Sequence, residues 1–380
     1  MPFANTSANL EINPFHTASD VIAWIRKQAI ELGFADCGVV SVHNPLFAKQ
    51  MQGLKQWLEQ GYHGQLTFLE NNHDKRANPA LLVEGARSII SVRMDYLQTP
   101  PKRRTVEDND RPNHAIIARY ARGRDYHKVM RSRLKKLAQR IEAMLPHWQH
   151  LQINAEAPFV FRPFSDSAPI FERPLADAAG LGWTGKHTLL LNKQAGSFFV
   201  LGELFLSLEL PEGEPTTPHC GSCQACINIC PTQAFIAPYK LNANACISYL
   251  TIEYDGIIPE QYRRAIGNRV FGCDDCQLIC PWNRYAKLAV IDDFAPRHGL
   301  DSIRLIELWQ WDEAQFLKST EGSPLRRTGY LNFMRNVAIG LGNATADRQN
   351  ITTLQNRLGH SNMLDEHIHW AIAEQKRKLC

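Results

Sequence analysis

The chain has 380 residues, of which 44% are hydrophobic and 21% are charged, and its formal net charge is +4. These values are typical of a globular protein with two or three domains. The N-terminal segment lacks the charged and apolar regions of a signal peptide. The most apolar run, SFFVLGELFLSLEL (197–210), contains Glu203 and Glu209 and is too short to span a bilayer. We therefore expect a cytoplasmic protein without a membrane segment, and a monomer.

Positive charge is concentrated between residues 102 and 140, which hold thirteen Lys or Arg and four Asp or Glu. Two interpretations are open. The charges either solvate the outer face of a helix, or they form a surface for a polyanion such as RNA.

The N-terminal half predicts alternating helices and strands. Residues 1–18 are expected to form a loose tail, after which Asp20 caps a helix that stops near Gly33. Further predicted elements are strands at 35–42 and 86–94, a helix at 47–61, a charged loop at 98–113, a strand at 114–121, and a helix at 126–147 with apolar spacing at Val129, Leu134, Leu137 and Ile141. The alternation predicts a mixed α/β (α+β) core.

The second half first continues this pattern and then becomes helical. FVFRPFSDSAPI (159–170) predicts a strand and then a loop, and LLLN (189–192) and FFVLGELFLSLEL (198–210) predict strands. From about residue 300 onward, helices are predicted at 302–319, 330–343, 351–359 and 363–378. Short paired helices of this kind favour a HEAT-like unit, which usually presents a binding surface.

Eight of the ten cysteines lie between residues 220 and 280, which in a reducing compartment indicates metal binding rather than disulfides. Cys220-x-x-Cys223-x-x-Cys226-x-x-x-Cys230-Pro231 is the bacterial ferredoxin run. In that run the fourth cysteine binds a second cluster.

A second run, Cys273-x-x-Cys276-x-x-x-Cys280-Pro281, is one cysteine short, and Cys246 is available to complete it. Zinc is the alternative, but zinc sites favour isolated C-x-x-C pairs. We predict two 4Fe-4S clusters, one held by Cys220, Cys223, Cys226 and Cys280, the other by Cys230, Cys246, Cys273 and Cys276. Two clusters conduct electrons, so the N-terminal part should hold their acceptor. Of the leftover cysteines, Cys37 is expected to be inert core.

The loop GLGWTGKH (180–187) nearly matches two nucleotide-binding motifs. Both motifs need a strand before the glycines and a helix after them. Here a helical pattern precedes the loop, a strand pattern follows it, and His187 stands where a phosphate loop has Ser or Thr. Two uses stay open: a helix end with a tight turn, or close approach of the backbone to a large flat ligand.

Longer motifs carry a family resemblance. The segment SDSAPIFERPLADAAGLGWTGKHTLLLN (165–192), with the double cysteine run ending in CPWN, resembles epoxyqueuosine reductases, and the likeness extends through 74–92, 118–130 and 330–343. The resemblance implies two 4Fe-4S clusters, a cobalamin and a core similar to that of reductive dehalogenases. It also implies the last step of queuosine formation, reduction of epoxyqueuosine to queuosine at the wobble position of tRNA.

The resemblance also implies site residues. Asp166 falls on the proposed proton donor, and Arg173 on a companion that orients the substrate or the acid. A donor that is protonated near neutral pH needs a raised pKa, which a buried site beside a corrin could supply. Candidate cobalamin contacts are Arg76, Asp166, Gly182, Gly185, Lys186, His187, Ser248 and Tyr249, with Asp125, Tyr126 and His127 as further candidates.

Asp365-x-His367-x-x-Trp370 is a near match to the D-x-H-x-x-G cobalamin motif but lacks its glycine, so we interpret it as a surface helix and expect no histidine lower ligand. The expected tRNA contacts are Arg122, Arg124, Arg131, Lys135, Arg326, Arg327 and Arg335. The expected electron donor is a flavodoxin or ferredoxin.

The predicted domains are a catalytic α/β domain at 1–210, a ferredoxin-like domain at 211–295 and a helical domain at 296–380. Two other functions stay open: a corrinoid reductase of a small molecule, similar to a dehalogenase, and a non-catalytic electron-transfer or RNA-binding module. The basic stretch counts against the first, and the motifs between 74 and 192 count against the second.

Overall fold

The structure is a computed structural model that describes residues 15–101, 111–151 and 158–380. Parts of the predicted N-terminal tail and of the charged loop, at 1–14 and 102–110, lie outside the described residues. The strands within the described ranges are β1 (Asp36–Ser41), β2 (Ser88–Asp95), β3 (Ile116–Ile117), β4 (Phe161–Phe164), β5 (Trp183–Thr184), β6 (Leu190–Leu191), β7 (Phe199–Leu206), β8 (Phe235–Ala237), β9 (Lys240–Leu241) and β10 (Arg269–Phe271).

The helices of the same ranges are α1 (Ala18–Glu31), α2 (Leu46–Glu59), α3 (His73–Ala77), α4 (Tyr126–Trp148), α5 (Glu172–Ala178), α6 (Ala225–Asn228), α7 (Ile247–Ile252), α8 (Glu260–Ile266), α9 (Asp275–Leu278), α10 (Leu305–Trp309), α11 (Glu313–Ser319), α12 (Tyr330–Asn343), α13 (Arg348–Gln355) and α14 (Asn362–Leu379). Within the described residues, no helix is both long enough and apolar enough to cross a membrane. The predicted mixed α/β fold is confirmed, whereas the HEAT-like character of the last helices stays a prediction.

The N-terminal core is a four-stranded antiparallel sheet in the order β1-β2-β7-β4. Every residue of β2 is buried, because helices cover both faces of the sheet. Helices α1 and α4 pack on one face through an apolar cluster that includes Ile25, Leu137 and Val92. Helices α2 and α5 pack on the other face, where Phe47 and Leu175 join the cluster. The apolar spacing predicted for α4 is therefore confirmed.

The N-terminus of α1 corrects one prediction. The cap is Thr17, and Asp20 is its partner three residues inside the helix. The Asp20 carboxylate accepts a hydrogen bond from the Thr17 N–H at 2.8 Å, while the Thr17 hydroxyl accepts one from the Asp20 N–H at 3.3 Å. This reciprocal arrangement is a capping box, and it places the N-cap three residues earlier than predicted, with the helix beginning at Ala18.

The cysteine-rich segment and the C-terminal helices share one apolar core. It contains Ile247 of α7, Val270 of β10, Val337 of α12 and Ile368 of α14. Helices α12 and α14 approach closely at Gly342, where a Cβ would lie 2.9 Å from the Ala371 Cα. The parallel pairing of β3 with β10 ties this core to the N-terminal part of the chain.

The motif around His367 corrects a second prediction. His367 is completely buried on the inner face of α14, so this part of the helix is not a surface. Its Nδ1 donates to the Met363 carbonyl at 2.6 Å, and its Nε2 accepts from the Ile258 N–H at 3.1 Å. Burial lowers the pKa of His367 to about 3, which keeps the ring neutral. Both ring nitrogens are therefore used inside the protein.

Candidate active site

A cavity of about 340 Å³ opens between the N-terminal core and the C-terminal helical region. Tyr126, His127 and Asp166 line one side of it. Glu253, Arg326 and Arg327 line the other side. The structure thus brings the predicted proton donor together with two of the predicted RNA contacts and with residues of the Asp125-Tyr126-His127 motif.

Asp166 lies in the loop that leads from β4 to α5, in a left-handed conformation with φ of 61°. Its backbone N–H donates to Glu172 Oε1. Its Oδ2 accepts hydrogen bonds from the Tyr126 hydroxyl and from His127 Nε2, each at 3.0 Å. The side chain is 47% exposed, so the carboxylate is held from behind and open toward the cavity.

His127 bridges two carboxylates. Its Nδ1 donates to Asp125 Oδ1 at 2.7 Å, and its Nε2 donates to Asp166. Burial lowers the pKa of His127, but the two acidic partners more than offset this and raise it to about 9. The ring is therefore a cation at neutral pH.

The structure does not show the raised pKa that a protonated Asp166 would need. Burial raises the pKa of Asp166, but the hydrogen bond and charge of His127 outweigh it, and the pKa lies below its ordinary value of 3.8. Tyr126 and the charge of Arg327 act in the same direction. The mobile proton of this group is thus on the imidazole of His127, one hydrogen bond away from the carboxylate.

Raised pKa values occur instead at Glu172 and Glu203, two acids that were not predicted as site residues. Burial raises the pKa of Glu172 to about 7, and the charge of Asp166 adds to the rise. Burial and the nearby Glu172 raise the pKa of Glu203 well above its ordinary value. Glu203 is completely buried on β7, and within the described residues neither of its carboxyl oxygens has a partner in hydrogen-bonding geometry. A single acid inside a buried apolar strand was the signal in the sequence.

The glycines of GLGWTGKH pack against the protein itself. A Cβ at Gly182 would lie 2.1 Å from the Leu191 carbonyl oxygen, and one at Gly185 would lie 2.7 Å from Leu191 Cδ1. Helix α5 precedes the loop, β5 lies within it and β6 follows, which agrees with the predicted helix-then-strand order. The glycines are therefore explained by close contacts within the chain, and the prediction that they make room for a flat ligand is not needed.

Lys186 and His187 of this loop have different surroundings. The Lys186 ammonium donates to the carbonyls of Gly221 at 2.7 Å and Cys223 at 3.0 Å, so it braces the first cysteine run and is not free for a corrin. His187 is buried, and its Nδ1 accepts from the Leu189 N–H at 3.1 Å. Burial lowers the pKa of His187 to about 4, and its Nε2 has no partner among the described residues.

The other candidate cofactor contacts also differ in whether atoms of the protein already bind them. Arg76 is 5% exposed, and within the described chain its Nε has no partner. The Tyr249 hydroxyl accepts a hydrogen bond from the Gln65 N–H at 2.7 Å, and the adjacent Ser248 is half-buried. Arg173 donates to the Thr188 carbonyl and faces His187, and the hydrogen bonds to the Asp166 carboxylate come from Tyr126 and His127. An orienting role of Arg173 toward the acid is therefore not supported.

The charge interactions of the cysteines run mainly within the two predicted groups, although Cys226 of the first group also acts on Cys276 of the second. Burial raises the pKa of Cys280 to about 11, and the nearby Cys226, Cys220 and Cys223 add to the rise. Burial likewise raises the pKa of Cys276, with contributions from Cys273 and Cys246. Cys230 adds to the raised pKa of Cys246. All ten cysteines are free, and Cys37 is buried with a pKa that burial raises to about 12, as expected for inert core.

Five of the predicted RNA contacts are exposed. Arg326 and Arg327 lie at the cavity, and Arg327 pairs with Glu253 at 3.0 Å. The others are Arg124, which pairs with Asp293, and Arg131 and Lys135 on the outer face of α4. Arg122 is only partly exposed, and its Nε donates to the Ile117 carbonyl at 2.8 Å.

Arg335 is wrong as an RNA contact, because its side chain is completely buried. Its guanidinium donates to the carbonyls of Leu250, Tyr254 and Gly256 at 2.9, 2.9 and 2.8 Å. Burial lowers the pKa of Arg335 to about 10, which leaves it charged at neutral pH. Arg335 therefore organises the segment that carries Glu253 to the cavity wall.

Two family models match the chain. Residues 76–167 match the model described as "Epoxyqueuosine reductase QueG, DUF1730", which includes Asp125, His127 and Asp166. Residues 219–283 match the 4Fe-4S double cluster binding domain, which includes all eight clustered cysteines. The zinc alternative is therefore not supported.

Whole-chain relatives agree with these matches. The epoxyqueuosine reductase of Vibrio cholerae is 48% identical over 354 residues, covering 93% of this chain and 92% of the relative. That of Escherichia coli is 48% identical over 359 residues, covering 94% and 90%. The structure of epoxyqueuosine reductase from Streptococcus thermophilus superposes with a TM-score of 0.82 at 26% identity, covering 94% of this chain and 91% of that one. Identity of this extent over nearly the whole length shows that the chain belongs to the epoxyqueuosine reductase family.

Proposed function

We propose that the chain reduces epoxyqueuosine to queuosine at the wobble position of tRNA. The observation that carries this proposal is the cavity in which Asp166, bonded to His127 and Tyr126, faces Arg326 and Arg327. Family membership and the double cluster domain support it. A solved relative with a TM-score of 0.83 and 23% identity holds an epoxyqueuosine-modified tRNA stem loop. No feature of the cavity favours a halogenated small molecule or a non-catalytic module.

The reaction sets two requirements for the site. Conversion of an epoxide to an alkene consumes two electrons and two protons and releases the oxygen as water. The breaking C–O bond leaves negative charge on oxygen, so an acid must protonate it as the bond opens. Electrons and protons must therefore reach the same small region of the cavity.

Cobalamin, when bound, would supply a strongly reducing cobalt centre to the epoxide. The buried nitrogens that have no protein partner fit such a polar ligand, and we propose Arg76 Nε and His187 Nε2 as contacts. Ser248 and Asp166 are further candidates, whereas Lys186, Gly182, Gly185 and Tyr249 are engaged by the protein. The absence of a histidine lower ligand stays a prediction.

For proton delivery we propose that Asp166 donates to the leaving oxygen and that His127 replenishes it. Asp166 is ionised in the open cavity, and a bound substrate would remove water from its exposed half and raise its pKa. The proton then passes along the 3.0 Å hydrogen bond from His127 Nε2 to Asp166 Oδ2. Asp125 stabilises the charged imidazole from its other nitrogen.

For substrate binding we propose that phosphates of the anticodon stem-loop contact Arg326 and Arg327, with Arg124, Arg131 and Lys135 extending the surface. Base-modifying enzymes reach their target by turning the nucleotide out of its stack. The modified base would enter the cavity between these arginines and Asp166.

The assignment of four cysteines to each cluster is part of the proposal. The neighbours seen for Cys280 and for Cys276 support the two predicted sets. We also keep the domain boundaries near 210 and 295 and a cytoplasmic location as proposals, the latter because tRNA and reduced cysteines occur there.

Purification without oxygen in the presence of cobalamin, followed by an absorption spectrum, tests the cofactors. Incubation with tRNA from cells that lack the enzyme, plus a low-potential reductant, tests the reaction. We expect the modified nucleoside to lose the mass of one oxygen atom. A cofactor-loaded protein that leaves this nucleoside unchanged would contradict the proposal.

A further inference from the structure

The surface above the first cysteine run differs from the cavity. Cys223 is exposed, so the cluster that it would hold lies at the protein surface. The cysteines of the other set, Cys230, Cys246, Cys273 and Cys276, are each half-buried, and none of them is exposed. Electrons from outside would therefore meet the first site before the second.

Contacts join the residues around this site into one face. The Tyr239 N–H donates to the Lys186 carbonyl at 3.0 Å, and the Lys186 ammonium holds the Cys223 carbonyl. On the other side, Trp282 packs against the cluster of Trp183, Leu191 and Cys280. The Tyr285 ring lies 6.2 Å from Trp282, and the Arg284 guanidinium lies 4.6 Å from the Tyr285 ring centre. We name these residues the cluster-side face: Lys186, Cys223, Tyr239, Trp282, Arg284 and Tyr285.

This face exposes apolar side chains as well. Tyr239 is 49% and Tyr285 41% exposed. Ile236 and Leu288, their close neighbours in the chain, are 43% and 44% exposed. Exposed aromatic and aliphatic side chains grouped in this way are typical of a surface that docks another macromolecule.

The three segments that form the cluster-side face carry only positive formal charge. Residues 183–198, 215–252 and 281–291 contain no Asp or Glu. They contain five cations: Lys186, Lys193, Lys240, Arg284 and Lys287. A surface of this charge attracts an acidic partner and accelerates its association.

We infer that the cluster-side face is the docking site of an acidic, low-potential protein that carries one electron at a time. The inference rests on the proposed function, because it supplies the electrons that the reaction consumes. In each encounter the carrier is oxidised by one electron and the cluster at Cys220, Cys223, Cys226 and Cys280 is reduced by one. Two encounters supply the two electrons of one turnover.

The test uses the cofactor-loaded full chain and reduced flavodoxin as the carrier. The Arg284→Glu, Lys287→Glu double variant reverses the charge of Arg284 in the face and of the exposed Lys287 in the same segment, without touching a cysteine. We expect the second-order rate constant for cluster reduction, read from the visible absorbance, to fall about tenfold at low salt. The difference should shrink as salt is added, because exposed charges are screened. Calorimetry should show a parallel loss of affinity for oxidised flavodoxin.

Two controls make the outcome specific. The Lys27→Glu, Lys376→Glu variant reverses two exposed lysines on α1 and α14, outside the face, and should react like the wild type. Dithionite, a small reductant that needs no docking surface, should reduce all three proteins at equal rates. If dithionite reduces no clusters in the wild type, the proposed function fails, which is a different result from a failure of docking.

Two results would overturn the inference. One is an equal rate of reduction by flavodoxin in the wild type and the Arg284→Glu, Lys287→Glu variant at every salt concentration. The other is a loss of affinity for tRNA in that variant with unchanged flavodoxin kinetics, which would assign the face to RNA.

Discussion

The cavity and the cluster-side face carry opposite kinds of chemistry. Around the cavity, Asp125, Asp166, Glu172, Glu203 and Glu253 place five carboxyl groups near one another. In the segments that form the cluster-side face there is none. Carboxyl groups hold and pass protons, whereas a carboxylate-free cationic surface is suited to receive an acidic electron carrier.

Under the two proposals, protons are handled at the cavity and electrons enter at the cluster-side face. The carboxyl groups also differ among themselves in the direction of their pKa shifts. The hydrogen bond and charge of His127 lower the pKa of Asp166, whereas burial raises the pKa values of Glu172 and Glu203. The predictions below test this division.

The largest expected effect follows from Asp166→Asn. The amide keeps the shape of the side chain but cannot give a proton to the leaving oxygen, so turnover should fall by about 10² to 10⁴. Affinity for tRNA should change less than about twofold. Single-turnover assays and filter binding measure the two quantities, and Asp301→Asn, an exposed carboxylate outside the cavity, serves as the control. Wild-type turnover in Asp166→Asn would remove this residue from proton transfer.

The next effect concerns His127. Because its pKa is about 9, the wild-type rate should fall as pH rises through about 9, where the imidazole loses its proton. In His127→Gln this fall should disappear and turnover should drop by roughly 10- to 100-fold. A pH profile of single-turnover rates measures both. An unchanged profile in the variant would show that His127 only positions Asp166.

The same shift has a consequence for folding stability. A histidine whose pKa is raised on folding stabilises the folded state fully below its ordinary pKa of 6.5, and that contribution is lost as pH rises through about 9.

The contribution of Glu172 to folding stability should change with pH in the direction opposite to that of a carboxyl group with a lowered pKa. Its pKa rises from 4.5 to about 7 on folding, so the folded state holds the proton more tightly and stability falls as pH rises from about 4.5 to 7. Glu172→Gln should remove that fall, which is on the order of 3 kcal/mol. Urea unfolding at several pH values measures it, with the exposed Glu142→Gln as the matched control. Equal pH slopes in wild type and Glu172→Gln would refute the raised pKa.

The smallest effect concerns RNA contacts. Arg326→Ala should weaken tRNA binding by about 3- to 10-fold and reduce the slope of log affinity against log salt by about 1. Lys27→Ala, on α1, should leave both unchanged. Fluorescence titrations with tRNA over a range of salt concentrations measure both quantities. An unaltered salt slope in Arg326→Ala would show that Arg326 contacts no phosphate.

The sequence was most informative where spacing determines chemistry. The cysteine runs predict the grouping of Cys280 with Cys226, 54 positions earlier in the chain, because the ferredoxin pattern already contains that crossing. Helices α4 and α12 were predicted equally well from the sequence, because their apolar periodicity is long and regular.

Prediction failed where a side chain serves the interior of the protein. Arg335 and His367 resemble surface residues in the sequence, and only the fold shows the carbonyl and N–H groups that bind them. The role of the glycines of 180–187 toward a ligand stays a prediction, and the structure adds that Gly182 and Gly185 lie close to Leu191 of the same segment. The direction of the Asp166 pKa depends on His127, which is 39 residues away in sequence and adjacent in space.

The left-handed backbone at Asp166 limits which residues evolution can place there. Only glycine, asparagine, aspartate and a few others adopt this conformation at low cost. Among those, glycine and asparagine cannot donate an acidic proton, while glutamate has the right chemistry but is disfavoured by the backbone. Position 166 should therefore accept almost no substitution. An alignment of functional relatives should show aspartate there even where the surrounding loop varies.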